Sequence, residues 1–321
     1  MFKISNIKIP AKFETAPILE YAAKSVGVSK SDIRLFKILK MSVDSRKKPD
    51  VYRVVTAVFE SDFEQEIIAK GLKNVSPFSQ SLYGFPFKNL RSEKRPVVVG
   101  FGPGGIMAAL CLCEAGLRPV IIERGYDADR RTEDVRKFWD TGILSEKSNV
   151  QFGEGGAGMF SDGKLTTGIN DERIQYVFSR FVQFGAPEDI LYLAKPHIGT
   201  DKLKTTIKNI RKYLLSNGCD IHFGTQFTGI VSDGNRLTGI EVKDESGARI
   251  IDTDAVLLAP GNSARDTFEM LRDFGIEMQQ KSFAVGVRIE HLQKDIDISQ
   301  YGDAATLGTL PASDYKLAVH L

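Results

Sequence analysis

The stretch from Pro96 to Gly125, PVVVGFGPGGIMAALCLCEAGLRPVIIERG, constrains the fold more than any other part of the chain. An apolar run leads into Gly100, Gly102 and Gly105, a G-x-G-x-x-G, with Pro103 and Gly104 inside it. A long helical pattern follows, and then a second apolar run, Val120 to Ile122, ends at Glu123. This order predicts strand, tight turn, helix and parallel strand. The first glycine permits the turn, the second lets backbone approach a pyrophosphate, and the third lets helix and sheet pack closely. Phosphates then face unpaired N–H groups at the positive end of a helix. Glu123 stands where a carboxylate accepts ribose hydroxyls, which favours an unphosphorylated 2′-hydroxyl. Ala109 and Gly116 fall where close packing and the helix exit need small residues. The stretch predicts a bound dinucleotide.

At 321 residues, 42% hydrophobic and 26% charged, the chain can bury a large core in two or more domains. A net charge of +2 gives no global field directed at nucleic acid or a membrane. Cys111, Cys113 and Cys219 form no even disulfide framework, and the spacing of the first two is not that of a dithiol redox site. They are expected as packed small hydrophobes. No apolar run reaches membrane-span length and Met1 leads into no signal peptide, so the expected location is the cytoplasm.

Residues 1–90 read as a separate small α+β domain. Met1–Pro10 alternates like a strand and Ala16–Val26 has helical spacing. Arg34–Val43 and Val51–Glu60 alternate again around a polar tip carrying Arg46, Lys47 and Lys48, the pattern of a hairpin. Phe63–Leu72 is expected as a helix, and the order β-α-β-β-α suggests a split βαβ, ferredoxin-like unit. The basic tip is read as a solvated loop, with contact to phosphate or a carboxylate partner as the alternative. Ser76–Arg95 reads as a linker, and 91–321 as the second domain.

After Glu123 come Arg124 and a polar helix near Ala128–Thr141, where Arg130 and Arg131 either reach a phosphate or make surface ion pairs. The second informative stretch is Asn149–Thr167, NVQFGEGGAGMFSDGKLTT, with Gly153, Gly155, Gly156, Ala157, Gly158, Ser161, Asp162, Gly163 and Lys164. Such glycine density costs conformational entropy and suits backbone wrapped closely round a ligand. Residues 171–218 look mainly helical, interrupted by Lys195–Asp201, whose His197 is either structural or an acid–base group. From Cys219 to Gly261 the period becomes that of strands, with three antiparallel strands inserted before an apolar strand, Ala255–Gly261. Asn262–Phe274 reads as a helix, and Phe283–Arg288 as the start of a strand. Arg288, Glu290 and His291 there suit a substrate cavity or an ion pair equally, and Gln300–Leu321 shows no finished element.

Three features together resemble the glutathione-reductase-like flavoprotein superfamily: the Gly100-to-Glu123 pattern, the three-stranded meander, and the apolar strand ending Ala259-Pro260-Gly261. More narrowly, NVQFGEGGAGMFSDGKL, KPHIGTD, GNSARDTFE, FAVGVRIEH and SVDSRKK resemble the bacterial family of FAD-dependent dehydrogenases of unknown substrate, over the whole chain. The resemblance implies an α/β fold: a Rossmann-like FAD-binding domain with a parallel sheet and an inserted antiparallel β-meander, after the small α+β domain. It implies FAD as the dinucleotide, with Gly100, Gly102, Pro103, Gly104 and Gly105 at the pyrophosphate, Glu123 at the adenosine ribose, and Arg124 among the cofactor-binding residues. Backbone near Phe227 would meet the adenine. Gly153, Gly155, Gly156, Ala157, Gly158, Ser161 and Lys164 would approach pyrophosphate and flavin, and Gly261 the phosphate loop. Two departures stand out. Pro260 replaces the usual threonine, and relatives continue past the position of Lys316, so the chain reads as an N-terminal portion without the segment that closes the flavin site.

The implied activity is hydride transfer between FAD and an unknown small-molecule substrate, the cofactor carrying the redox chemistry. No second G-x-G-x-x-G marks an NAD(P)H domain, which leaves transient NAD(P)H and another electron acceptor open. The alternative is a flavin-containing nucleic-acid-binding or RNA-modification factor using the basic hairpin; near-neutral charge counts against it. A third reading, an NAD-dependent dehydrogenase with a single Rossmann domain, is opposed by the meander. No catalytic residue and no metal-ligand cluster is assigned.

Overall fold

The computed structural model describes residues 1–79, 83–161, 163–283, 285–287 and 289–315. It is a mixed α/β structure with antiparallel and parallel sheets. Its contacts divide the chain into one unit of Met1–Ser81, Leu191–Pro196 and Ser282–Leu321, and another of Leu82–Ile190 and His197–Lys281.

The first unit begins with β1 (Phe2–Pro10), α1 (Ile18–Val26), β2 (Arg34–Lys47), β3 (Asp50–Glu60), α2 (Glu64–Ala69) and β4 (Val75–Pro77). The sheet order is β2-β3-β1-β4, every neighbouring pair antiparallel. Strict alternation would put Phe2 and Ile4 on one face of β1 and Ile7 and Ile9 on the other. A register shift between Ile4 and Ile7, with Asn6 at φ 57°, brings all four into one core with Val55, Ala57, Phe59 and Ile67. The stretch expected as a linker from Ser76 thus starts inside a strand, because Phe2–Ile4 offers an edge to Val75–Pro77.

In the second unit, β5 (Val97–Val99), α3 (Pro103–Glu114) and β6 (Val120–Ile122) form the crossover that the glycine pattern predicts. After it come α4 (Ala128–Thr141), α5 (Arg173–Gln183), α6 (Thr200–Ser216) and β7 (Asp220–His222). The meander is β8 (Gln226–Asp233), β9 (Arg236–Asp244) and β10 (Gly247–Asp252), antiparallel in order β10-β9-β8. The chain then returns as β11 (Val256–Leu258), completing a parallel sheet of order β11-β5-β6-β7, and ends this unit with α7 (Arg265–Asp273). Val97 to Val99 and Val120 to Ile122 are buried throughout, as strands covered on both faces must be. One face packs on α3, α5 and α6 through Ile106, Leu110, Phe181 and Ile210, and the other on the meander through Phe227, Ile240 and Val242. Cys219 lies in the first of these cores, its thiol within hydrogen-bonding reach of that of Cys113; all three cysteines are free.

The rest of the first unit departs from expectation. Among the described residues of 283–288 there is no strand, and Phe283, Val285 and Val287 are each more than four-fifths exposed. Period-2 alternation makes a strand only where a neighbouring strand takes its hydrogen bonds, and these residues have none. Arg288 lies outside the described residues, as does Asp162. Before Gln300 the chain forms α8 (Gln293–Tyr301), and the stretch from Gln300, expected to hold no finished element, carries the end of that helix and a 3₁₀ turn, Gly302–Leu307, with Tyr301 and Ala304 buried beside Ala11 and Val51. In the basic hairpin tip of this unit, Arg46 pairs with Asp44 at 2.8 Å, and Lys48 donates to the Ser299 carbonyl. No helix among the described residues is long and apolar enough to cross a membrane.

Candidate functional site

The site is built where β5 and β6 end side by side. At Gly100 the backbone turns with φ 94°, a left-handed conformation that side chains rarely adopt, and a Cβ there would collide with the carbonyl of Ala259, just past β11. Gly105 sits against the Gly100 carbonyl with no room for a side chain, so α3 approaches the turn that precedes it. Gly102 caps α3 and Pro103 opens it, a position where the missing N–H costs nothing. The first intrahelical bond runs from Ile106 to Gly102, 2.9 Å. The amides of Gly104 and Gly105 stand in the first turn, where helix geometry leaves N–H groups unpaired.

Glu123 is almost fully buried, 5% exposed. Its carboxylate accepts three backbone N–H groups: Phe101 at 2.7 Å on one oxygen, Gly125 at 2.9 Å and Gly153 at 3.0 Å on the other. A carboxylate has about four lone-pair directions, so one remains for a ligand hydroxyl. Glu123 therefore also ties the first glycine turn to the second glycine-rich stretch. Beside it, Arg124 lies over the Phe152 ring at 4.6 Å and donates to Asp266 at 2.8 Å and Thr267 at 3.2 Å. Glu123, Arg124, Phe152, Phe227, Pro260 and Thr267 line a narrow cleft together with Gly100. Gly261, at the end of the same return strand, has open space around it.

The second stretch is folded round a residue for which the sequence left phosphate contact and surface ion pairing as alternatives. Arg131, in the first turn of α4, is fully buried. Its Nε donates to Asn149 O at 2.9 Å and its Nη2 to Val150 O at 3.0 Å. Its Nη1 donates to the carbonyls of Glu154 at 2.6 Å, Gly156 at 2.9 Å and Gly153 at 3.3 Å. The guanidinium also lies over Phe160, 4.9 Å from the ring centre. Burial pulls its pKa down to about 10, offset by Glu123 and Glu154, so it is cationic at neutral pH. Neither a phosphate contact nor a surface ion pair describes it. Arg130, next to it, stacks on Tyr126.

Glu154 is buried in the same loop. It accepts from the Ala128 amide at the start of α4, 2.7 Å, and meets Arg211 of α6 at 3.3 Å. Burial pushes its carboxyl up, against the pull of the Ala128 amide and of Arg211. Gly155 N–H donates to Phe101 O at 2.8 Å, and Gly156 packs on the first turn, where an added Cβ would lie 3.0 Å from Pro103 Cδ. Ala157 and Gly158 begin a short 3₁₀ turn, and the Ser161 hydroxyl closes it by donating to Gly158 O at 2.8 Å. Lys164 forms an isolated antiparallel bridge with His197, and Ile198 N–H donates to Gly163 O, so both side chains emerge from one piece of backbone. Among the described residues no cluster of histidine, cysteine and carboxylates is arranged to hold a metal.

Residues 282–321 match the family model described as FAD-dependent protein, C-terminal domain-like, and residues 1–60 match a domain of unknown function, DUF8436. An uncharacterized protein of Clostridium beijerinckii is 40% identical over 317 residues, 98% of this chain; the chain spans 59% of that relative's length. Among solved structures, Thermovibrio ammonificans THI4 is similar at 18% identity and a TM-score of 0.39, over 57% of this chain and 64% of that one. The 3-ketosteroid-Δ4-(5α)-dehydrogenase of Rhodococcus jostii RHA1 is similar at 15% identity and a TM-score of 0.35, over 53% and 47%. The cofactor named by the family matched at 282–321 is FAD.

Proposed function

We propose that the second unit holds FAD and serves an oxidoreductase that passes a hydride between the flavin and a small organic substrate. One observation carries this reading: the two glycine-rich stretches meet, Gly156 against Gly102 and Pro103, directly beside the first turn of α3. The adjoining cleft, with one lone pair of Glu123 still open and Phe227 and Phe152 as apolar walls, suits an adenosine. The family named at 282–321 makes FAD the dinucleotide of choice. Bound FAD supplies the redox chemistry. The protein's part is to hold the pyrophosphate on the amides of Gly104, Gly105 and Ala157, to orient the adenosine with Glu123 and Arg124, and to keep water from the apolar walls. Lys164 and His197, brought together by their bridge, are the polar side chains placed to meet a substrate at the loop's far end.

The first unit, with strand order β2-β3-β1-β4, is read as a ferredoxin-like split βαβ fold. Arg46 and Lys48 of its hairpin are engaged within the unit, which favours the oxidoreductase reading over a nucleic-acid-binding one. Transient NAD(P)H as hydride donor to the flavin, or a separate acceptor that reoxidises it, is proposed as electron partner. The test is uptake of FAD by the purified chain, followed by absorption and flavin fluorescence. One bound FAD per chain, displaced by ADP, is the expected result. A folded chain that leaves the spectrum of added FAD unchanged refutes the reading.

A further inference from the structure

We infer that Arg131 is a positioning residue for the dinucleotide site, the internal template on which residues 149–156 are folded before any ligand arrives. A guanidinium offers five N–H groups in a rigid planar fork, and here it serves five carbonyls of one loop: Nε meets Asn149, Nη2 meets Val150, and the two N–H groups of Nη1 are shared among Gly153, Glu154 and Gly156. Backbone can aim five carbonyls at one point only by leaving ordinary helical and extended angles. Gly153, at φ 124°, sits where Arg131's own side chain occupies the space a Cβ would fill. Part of the glycine density is therefore required by the arginine.

The consequence for a ligand follows from peptide planarity. A carbonyl turned inward turns the N–H of the next residue outward. With Gly156 O on the guanidinium, Ala157 N–H faces away from it. Two outward amides are already used to fix the loop: Glu154 N–H on Tyr126 O at 3.0 Å and Gly155 N–H on Phe101 O at 2.8 Å. The loop is thus shaped from inside by Arg131 and tethered to the first glycine turn at Phe101. Lysine, a single point donor, cannot replace a fork that reaches both Asn149 and Glu154. The ligand half of this inference rests on the FAD reading above; the loop-shaping half does not.

The experiment is hydrogen–deuterium exchange on the ligand-free wild-type chain, R131K and R131Q, with FAD affinity measured by flavin fluorescence on the same samples. In the wild type, Glu154 and Gly155 should exchange at least 100-fold slower than free backbone. R131Q and R131K should both lose that protection locally while the amides of β5 and β6 keep theirs. If the competent loop falls to a population of a few per cent, FAD affinity falls roughly 10–100-fold. Should R131Q fail to fold, F160L, which removes the ring over the guanidinium but keeps the charge, should loosen 149–156 more than β5. A wild-type loop that exchanges freely without FAD overturns the inference, as does an R131K that matches wild type in both readouts. A protected wild-type loop, loosened in R131Q, in a chain that binds no FAD refutes the cofactor reading and leaves the template role standing.

Discussion

The substitution Glu123→Gln separates a structural carboxylate from one that only touches ligand. Three buried N–H groups converge on Glu123: those of Phe101, Gly125 and Gly153. In its best orientation, glutamine keeps Gly125 and Gly153 on its oxygen and turns its NH₂ against Phe101, a residue with no solvent exposure. One buried donor is then unsatisfied, at a cost of about 1–3 kcal/mol. The two retained bonds pass from charge-assisted to neutral, losing about 0.5–1 kcal/mol each. Relief of carboxylate desolvation offsets part of this, leaving a net loss of about 1–4 kcal/mol in the ligand-free protein. Urea unfolding followed by Trp139, the single tryptophan and part of α4, reads the unit concerned. The midpoint should fall at unchanged slope. A ligand-free E123Q within about 0.5 kcal/mol of wild type, an ordinary surface-substitution effect, would refute the reasoning and return Glu123 to a purely ligand-facing role.

Gly105→Ala should cost about 3 kcal/mol, the upper end for overpacking, because its Cβ meets the backbone carbonyl of Gly100, whereas Gly158→Ala, with open space around it, should melt within a degree or two of wild type. Burial and the neighbouring Cys113 push the Cys219 thiol up to about 12, so on the order of one molecule in ten thousand carries the thiolate at pH 8. Labelling of Cys219 by a disulfide reagent should therefore be negligible until urea opens the unit. Asp297 accepts from the Ser313 amide, the Ser313 hydroxyl and Gln293, and these bonds hold its carboxyl below its ordinary value of 3.8. Its contribution is complete above that value and disappears as pH falls through the lowered pKa. The Ser313 amide resonance should shift only in that acid window, and D297N should remove the shift.

What the sequence made legible is what local chemistry dictates. Gly100 and Gly105 are demanded by a turn and a helix in contact with it, so the strand–turn–helix–strand order could be read from a few residues. The meander was readable because Asp233-Gly234-Asn235 and the turn near Gly247 punctuate three short alternating runs. Arg131 was not readable, since its role depends on carbonyls 18 to 25 residues away that fold over it. A signal was present: a loop so rich in glycine can turn many carbonyls inward, and buried carbonyls need a donor, which the first turn of the preceding polar helix held in Arg130 and Arg131. The alternation of Phe283, Val285 and Val287 fails for the complementary reason. Alternation records which side chains share a face, but a strand exists through its neighbour's N–H and C=O groups. The same distinction governs the site. The sequence brought forward the backbone proposed to touch a dinucleotide, and the residues that hold this backbone in shape, Arg131 and the threefold-bonded Glu123, became visible only through their partners. A variant series confined to the glycines would therefore confound ligand contact with loop shape. Arg131 and Glu123 can be altered without adding bulk beside the ligand, which makes their exchange and unfolding readouts the more direct measure of how the site is held.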